Sequence, residues 1–284
     1  MGESEALSVA RSPAKVYDEC FVPALFQQWG GIVSEIAGIT SGQRVLDVAC
    51  GTGALAMAAA ERAGSSGAVV GLDVNDEMLA VARRKRTAIE WKSGRAEALP
   101  FADASFDRVV SQFGFMFFED HTAALHEMMR VLRPNGRLAV AVCDALDHSP
   151  GYAVLAELLH RLFGHPVAEA FRAPFLLGDV EKLLFFCREA DIANAVIKRH
   201  DGRVHFDSVA SLVSTERACV WTLGGLLDDS QFERLLNSAQ ESLLPFVAAD
   251  GKVDFVNRKA TKHQLAVTKR GAIETEARVF YRWR

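Results

Sequence analysis

The chain predicts an α/β fold: a doubly wound, mostly parallel sheet with helices on both faces. Three observations carry that expectation. Strand-like and helix-like pieces alternate between Arg44 and Asp144. The strand pieces are apolar on both sides, as strands covered on both faces must be. A glycine turn, Cys50-Gly51-Thr52-Gly53, follows the first strand and opens a helix, which is where doubly wound sheets hold ligands.

Each element has a local reason. Arg44 to Ala49 is a short Val/Leu run that stops at the glycines. The Ala-rich stretch to Ala63 reads as a helix, because alanine loses no side-chain entropy there. Ser65-Ser66-Gly67 breaks the chain, and Ala68 to Leu72 is a second buried strand stopped at Asp73. Asn75 can cap a helix running to about Arg86, with Asp76 and Glu77 at its positive end and Arg83 to Arg86 at its negative end. Ile89 to Lys92 is a weak third strand, and Phe106 to Phe113 a fourth, reached through Asp103-Ala104-Ser105. Leu125, Met128, Met129 and Leu132 recur at helical spacing. Arg133-Pro134-Asn135-Gly136 is a turn, and Arg137 to Cys143 the fifth strand.

Upstream, Phe21, Leu25, Trp29, Ile32 and Ile36 mark a helix packed on this core, with Pro23 near its first turn. Downstream, Tyr152 to Glu189 is mostly helical and rich in phenylalanine. Ala195 to Phe206 reads as a hairpin turning at Asp201-Gly202, and helical periodicity returns from Leu212 to Leu244. Gln264 to Thr268 and Arg278 to Trp283 are candidate terminal strands.

Composition narrows the function. The 284 residues are 50% apolar and 24% charged, which excludes a disordered chain. A net charge of −4 leaves no global basic field for nucleic acid or anionic lipid. Met1 to Ala14 is polar and lacks the apolar heart of a signal peptide. No apolar run is long enough to span a bilayer. The five cysteines (20, 50, 143, 187 and 219) are odd in number and form no CxxC, so neither a disulfide framework nor a zinc spacing is present. A soluble, cytoplasmic protein is expected.

The strongest motif is Val45-Leu46-Asp47-Val48-Ala49-Cys50-Gly51-Thr52-Gly53. Glycines after a strand let the backbone turn tightly and let a ligand lie on the main chain. Asp73, at the end of the next strand, can accept both hydroxyls of a ribose. The glycines alone are ambiguous, since Gly51, Gly53 and Ala56 also satisfy a dinucleotide fingerprint. Asp47 weighs against that reading: its carboxylate would repel a pyrophosphate and attract a ligand carrying an ammonium and a sulfonium. S-adenosyl-L-methionine is such a ligand; NAD is not.

Five segments in order resemble the core of a class I S-adenosylmethionine-dependent methyltransferase, close to the ubiquinone/menaquinone biosynthesis C-methyltransferases. They are Val45 to Gly53, Gly71 to Asn75, Ser93 to Phe101, Phe106 to Gly114, and Glu127 to Gly136. The resemblance covers about 100 residues and implies a seven-stranded, Rossmann-like sheet with an N-terminal helix and a helical lid insertion. It divides the chain into an N-terminal helical cap (1–43), a cofactor-binding core (44–144), a helical lid insertion (145–194) and a C-terminal part completing the sheet (195–284).

By the same resemblance, Gly51, Thr52 and Gly53 belong to the cofactor loop, with Gly51 and Thr52 lining the methionine end. Asp73 holds the ribose, Val74 and Met78 lie beside the adenine, and Arg95 and Ala96 meet its edge. Arg95 stands where the family usually has Asn or Asp, so there a backbone contact is expected. Gln112 is expected at the amino acid end of the cofactor. Tyr17 is expected to close over the cofactor from the N-terminal helix. Trp29, Phe113 and Phe117 are expected in the substrate pocket. No catalytic base is evident; His121, and the pair Asp147 and His148, lie near the expected rim. Cys50 reads as small apolar filler, and the eight histidines show no metal-ligand spacing, so no metal is expected.

Methyl transfer from a sulfonium depends mainly on positioning and desolvation, so the lack of a triad is no obstacle. The segment Ser111-Gln112-Phe113-Gly114 lacks the Pro-Pro-aromatic loop of base N-methyltransferases. A small aromatic or hydrophobic biosynthetic acceptor, quinone-like or a secondary metabolite, is the expected substrate, with no nucleic acid or membrane partner and a homodimer left open. The alternatives are a cofactor-binding protein of the same fold that transfers no methyl (a cyclase or binding module), a protein methyltransferase with an open groove, and an NAD-dependent dehydrogenase.

Overall fold

Val45, Leu46 and Val48 of the first strand and Val109 and Val110 of the fourth are completely buried, because helices cover both faces of the sheet they form. The computed structural model of the chain describes residues 12–85, 88–219 and 222–268. Strands β1 (Arg44–Val48), β2 (Ala68–Asp73), β3 (Ile89–Ser93), β4 (Phe106–Gln112) and β5 (Leu132–Ala141) pair in parallel in the order β3-β2-β1-β4-β5. Two strands extend the β5 edge: β7 (Val253–Thr268) lies antiparallel to β5, and β6 (Val196–Phe206) antiparallel to β7. The chain runs outward from β1 to β3, then crosses to β4 on the other side. This reversal opens a crevice beyond the carboxyl ends of β1 and β4, the place where open α/β sheets bind ligands.

The helices follow their local signals. α1 (Pro13–Val16) continues through a π-helical stretch (Tyr17–Phe26) into α2 (Gln27–Ile36). Pro23 therefore lies inside this helix and not near its first turn. It offers no N–H to the preceding turn, and the widened coil absorbs the loss. α3 (Ala54–Ala63) packs with α2 on one face of the sheet. α4 (Asp76–Ala82) is capped by Asn75, whose side chain accepts from the Glu77 and Met78 amides at 2.9 and 3.2 Å. It ends at Ala82, short of the expected Arg86, with Arg83 to Lys85 in a turn. α5 (His121–Val131) covers the other face, its N-terminus capped by Asp120.

Four further helices and α8 build the rest. α6 (Pro150–Phe163), α7 (His165–Arg172) and α8 (Val180–Glu189) lie between β5 and β6; α9 (Val209–Ala218) and α10 (Asp229–Ser242) lie between β6 and β7. α8 joins the α5 face, whereas α6, α7, α9 and α10 form a second apolar core with the π-helical stretch and the distal half of the β6–β7 pair.

Two expected boundaries change. β5 begins at Leu132, before the expected turn. Leu132 pairs with Phe106 and Arg137 with Arg108, so residues 133–136 bulge out between the two pairings, with Asn135 at φ +65°. Ala195 to Phe206 is no hairpin either, because β6 continues as one strand through Asp201-Gly202, where only its register against β7 shifts. Gly202 instead lets an indole approach: a Cβ there would lie 2.2 Å from Cζ2 of Trp29. The glycine and its charged neighbour look like a turn locally, but a buried tryptophan from α2 needs the space. The expected strand Arg278 to Trp283 and residues 1–11 of the N-terminal cap lie outside the described residues.

A pair of substitutions tests this packing. Gly202→Ala overpacks the Trp29 contact and is expected to lower stability by about 1–3 kcal/mol. Gly31→Ala, in α2 with nothing within 4 Å of the added carbon, should raise it by about 0.5–1 kcal/mol. Urea unfolding of the two variants should move in opposite directions; equal shifts would contradict the Trp29 placement.

Candidate functional site

Two loops meet at the crevice, and both are held in unusual backbone. After β1, Ala49, Gly51 and Gly53 have φ of +58°, +55° and +90°, and after β4, Phe113 has φ +56°. Positive φ at an alanine and a phenylalanine is uncommon and collects at functional sites. The loops press together so closely that a Cβ on Gly114 would stand 2.4 Å from that of Ala49. Beneath the first loop lies Trp91 of β3, paired in register with Gly71. A Cβ on Gly53 or Gly71 would come within 2.4 or 2.5 Å of its ring. Motif reading assigned Trp91 nothing, although a tryptophan opposite a strand glycine is a signal of close packing.

Two carboxyls give the crevice its charge. Asp73 is 8% exposed; one oxygen accepts the Gly51 amide at 2.7 Å and the other the Asn75 amide at 2.8 Å. Burial raises its pKa, and these amides partly offset the rise by favouring the ionised form. Asp47 is fully buried, and apart from the Ala56 amide, which bears on its carboxyl and partly offsets the rise in its pKa, its oxygens have no close hydrogen-bond partner. Burial and the charge of Asp73 push its pKa well up. Thr52 Oγ1 and Gln112 Oε1 are likewise enclosed without partners, while the Gln112 amide nitrogen donates to the Phe26 carbonyl at 3.0 Å. Buried polar atoms are nearly always satisfied. Four such oxygens on three side chains at the ends of β1 and β4 therefore mark a place for a polar, cationic ligand.

A cavity of about 230 Å³ opens beside these groups. Tyr17, Gly51, Asp73, Val74, Met78 and Gln112 line it on the sheet side. Phe113, Met116, Phe117 and Phe118 form a wall beyond β4. The far side is apolar and aromatic, with Phe21 from the π-helical stretch, Tyr152 from α6, and Phe171 and Phe175 from the segment after it. A smaller cavity of about 110 Å³ shares Ala49, Asp73 and Val74 and adds Arg95 and Ala96. Val74 is 65% exposed, an unusual state for a valine. The Arg95 side chain pairs with Glu119 at 2.7 Å, and both residues line this smaller cavity. Glu127 and Arg130 of α5 hold this segment in place. Glu127 accepts the Leu99 amide at 2.7 Å, and Arg130 donates to the Leu99 and Phe101 carbonyls at 3.0 and 2.8 Å.

Other expected residues stand elsewhere. Trp29 is fully buried in the α2–α3 core and is not on the cavity wall, because its indole covers Gly202. Thr52 and Gly53 also lie behind the wall, the one with its hydroxyl inward and the other against Trp91. His121 stacks on Phe186 at 4.5 Å, away from the cavity, and burial lowers its pKa so that it is neutral. His148 pairs with Asp144 at 3.2 Å, and of the two Asp144 lines the cavity. Cys50 is buried filler, its thiol pKa raised by desolvation and by Asp47.

Motif reading missed Glu216. It lies in α9, within a region expected only to complete the sheet, yet it lines the cavity with Val204, Cys219 and Thr222. It is 2% exposed, and burial raises its pKa to about 7. No spacing announced it; a carboxylate among helical apolar positions of the sequence was the available sign.

These features define a doubly wound α/β domain with an acidic crevice at its strand ends and an apolar chamber next to it. Residues 9–152 match the model of the ubiE/COQ5 methyltransferase family. Over 213 residues the chain is 32% identical to the demethylmenaquinone methyltransferase of Staphylococcus aureus, covering 69% of this chain and 88% of that one. It is 42% identical over 135 residues to the demethylmenaquinone methyltransferase of Renibacterium salmoninarum, a match spanning 48% of this chain and 56% of the relative. The chain thus belongs to the ubiE/COQ5 methyltransferase family. The fold is shared with phosphoethanolamine N-methyltransferase 2 of Haemonchus contortus, solved with phosphomonomethylethanolamine and S-adenosylhomocysteine, at a TM-score of 0.56 and 17% identity over 91% of this chain and 57% of that one. The nicotinamide alternative finds no support in these likenesses. Among the described residues, no helix is long and apolar enough to cross a membrane, and no group of three or more His, Cys, Asp or Glu could hold a metal.

The buried Glu216 carboxyl predicts a pH effect on stability. Its pKa is raised from 4.5 to about 7, so folding favours its protonated form. Its contribution is therefore greatest below pH 4.5 and declines as pH rises to about 7, by about 3 kcal/mol in all. The wild-type-minus-Glu216→Gln difference in unfolding free energy should fall across that window, and a flat difference would contradict the burial.

Proposed function

We propose that this chain transfers a methyl group from S-adenosyl-L-methionine to a quinone-like, small aromatic acceptor. The observation that carries the reading is the single cavity that joins an acidic loop to an aromatic chamber. The Asp47, Thr52 and Gln112 oxygens that lack a close partner and the Asp73 carboxylate fit the cofactor's donor and charge pattern. When bound, S-adenosylmethionine supplies an electrophilic methyl on a cationic sulfur. Asp73 would accept the ribose hydroxyls through its remaining lone pairs, with Val74 and Met78 along the adenine and the Arg95–Ala96 backbone at its edge. Gln112 Oε1 would accept from the ammonium, and Asp47 would supply compensating negative charge from beneath the loop. Tyr17 would close the crevice from the N-terminal helix.

The aromatic wall excludes water and presents faces on which a flat ring can stack. A quinone ring is electron-poor, so attack on a methyl cation equivalent requires the reduced hydroquinol. Demethylmenaquinone methyltransferases among the relatives support such an acceptor. In this reading residues 44–144 hold the cofactor, the helices of 145–194 close over the acceptor as a lid, and α9 contributes to the same chamber. A net charge of −4 favours a small molecule over nucleic acid.

Calorimetric titration with S-adenosylhomocysteine tests the cofactor assignment. Wild type should bind saturably, and Asp73→Ala should weaken binding by at least ~1 kcal/mol, the scale of lost charged hydrogen bonds. Equal affinities would show the ribose contact to be misplaced. Incubation of the full chain with S-adenosylmethionine and 1,4-dihydroxynaphthalene under reducing conditions should yield a product heavier by one methyl group. Binding without such transfer, to this or related hydroquinols, would favour a non-catalytic cofactor-binding protein.

A further inference from the structure

Among the described residues, no cation balances a carboxyl on the helical side of the cavity. Glu216 lies in the last turn of α9, lines the chamber and is 2% exposed. The Tyr152 hydroxyl from α6 donates to its carboxyl, the Thr222 hydroxyl donates to its main-chain carbonyl at 3.0 Å, and Glu216 Oε2 is enclosed without a partner. The ionisable groups around it are all acidic or neutral. Tyr152 senses Cys143, after β5, and Cys219, after α9. Tyr17 and Asp73 line the sheet side of the same cavity, and Asp144 is paired with His148. Arg217, the next residue, turns away to Asp229. A buried carboxyl with an open acceptor position, facing an apolar chamber, opposes folding unless a ligand completes it.

We propose that Glu216, steadied by Tyr152, is a catalytic base that receives the hydroxyl proton of a phenolic or hydroquinol acceptor bound in this chamber. The inference rests on the methyl-transfer reading above and assigns the proton's destination. The acceptor O–H bond breaks, its proton passing to the Glu216 carboxylate, and the oxygen's electron pair moves into the ring. A ring carbon forms the new C–C bond as the S–C bond breaks, whose pair stays on sulfur. The ring then loses the hydrogen at that carbon to solvent, and Glu216 returns its proton to the oxygen. One methyl is gained, one proton is released, and no oxidant or reductant is consumed. Burial places the Glu216 pKa at about 7, so the group is ionised in a large fraction near neutrality and can still take a proton.

The test uses the full chain saturated with S-adenosylhomocysteine, so that binding is read without turnover. 1,4-Dihydroxynaphthalene, kept reduced, is titrated by calorimetry between about pH 5.5 and 8.5, a window set around the Glu216 pKa, with naphthalene as the hydroxyl-free control. Wild type should bind the diol about tenfold more tightly at the alkaline end, the scale of one charge-assisted hydrogen bond. Glu216→Gln should lose that pH dependence while binding naphthalene and S-adenosylhomocysteine as wild type does. Tyr152→Phe removes a donor that favours the ionised carboxyl, so it should keep the slope with its midpoint moved to higher pH. This second variant carries the test should Glu216→Gln fold poorly. Equal, pH-independent diol binding by wild type and Glu216→Gln, with S-adenosylhomocysteine still bound, would overturn the base and leave methyl transfer standing. Failure of wild type to bind S-adenosylhomocysteine would sink both.

Discussion

Two carboxylates buried at the carboxyl edge of a parallel sheet, with no cation among their hydrogen-bond partners, constrain the rest of this molecule. Asp47 is enclosed with its oxygens lacking a close hydrogen-bond partner, and Asp73 raises its pKa further through like charge. Such a pair opposes folding by itself. The Gly51 and Asn75 amides steady Asp73, which keeps the loops after β1 and β2 in fixed relation. A cationic nucleoside would relieve the remaining imbalance. The positive φ at Ala49 and Phe113, and the glycines against Trp91, are the conformational cost of holding that arrangement open.

The sheet order makes this arrangement usable. Because β1 stands beside both β2 and β4, its glycine loop faces Asp73 on one side and Phe113 on the other. The antiparallel β6–β7 pair then carries α9 and α10 back toward the same edge, where α6 and α7 meet them in a separate apolar core. The aromatic chamber lies where that second core abuts the first. Its walls therefore come from segments far apart in the chain, and its polar group, Glu216, is carried by the later of them.

Residues 44–144 were legible because every function there is written locally. A strand, glycines, an acid at the next strand end and an N-cap each leave a sign within a few residues. Asp73, Gly51, Met78, Val74 and Gln112, singled out from motifs and the family resemblance, are brought together on one cavity. Gly202 shows the limit, since its neighbours spell a turn while a tryptophan some 170 positions earlier takes up the space. Trp29 fails for the same reason: helical spacing identifies a buried face but not what that face meets.

Periodicity and spacing in the sequence alone were thus sufficient for the parallel core, its ligand edge and the charge of the crevice, since those depend on contacts between near neighbours in the chain or on burial patterns of period two and 3.6. The course of β6, the floor made by Trp91, the clamp from Glu127 and Arg130, and the presence of Glu216 in the chamber were decided by tertiary structure. Each depends on which distant segments meet, and an isolated glutamate or tryptophan carries the same local signal whether it faces solvent, core or ligand.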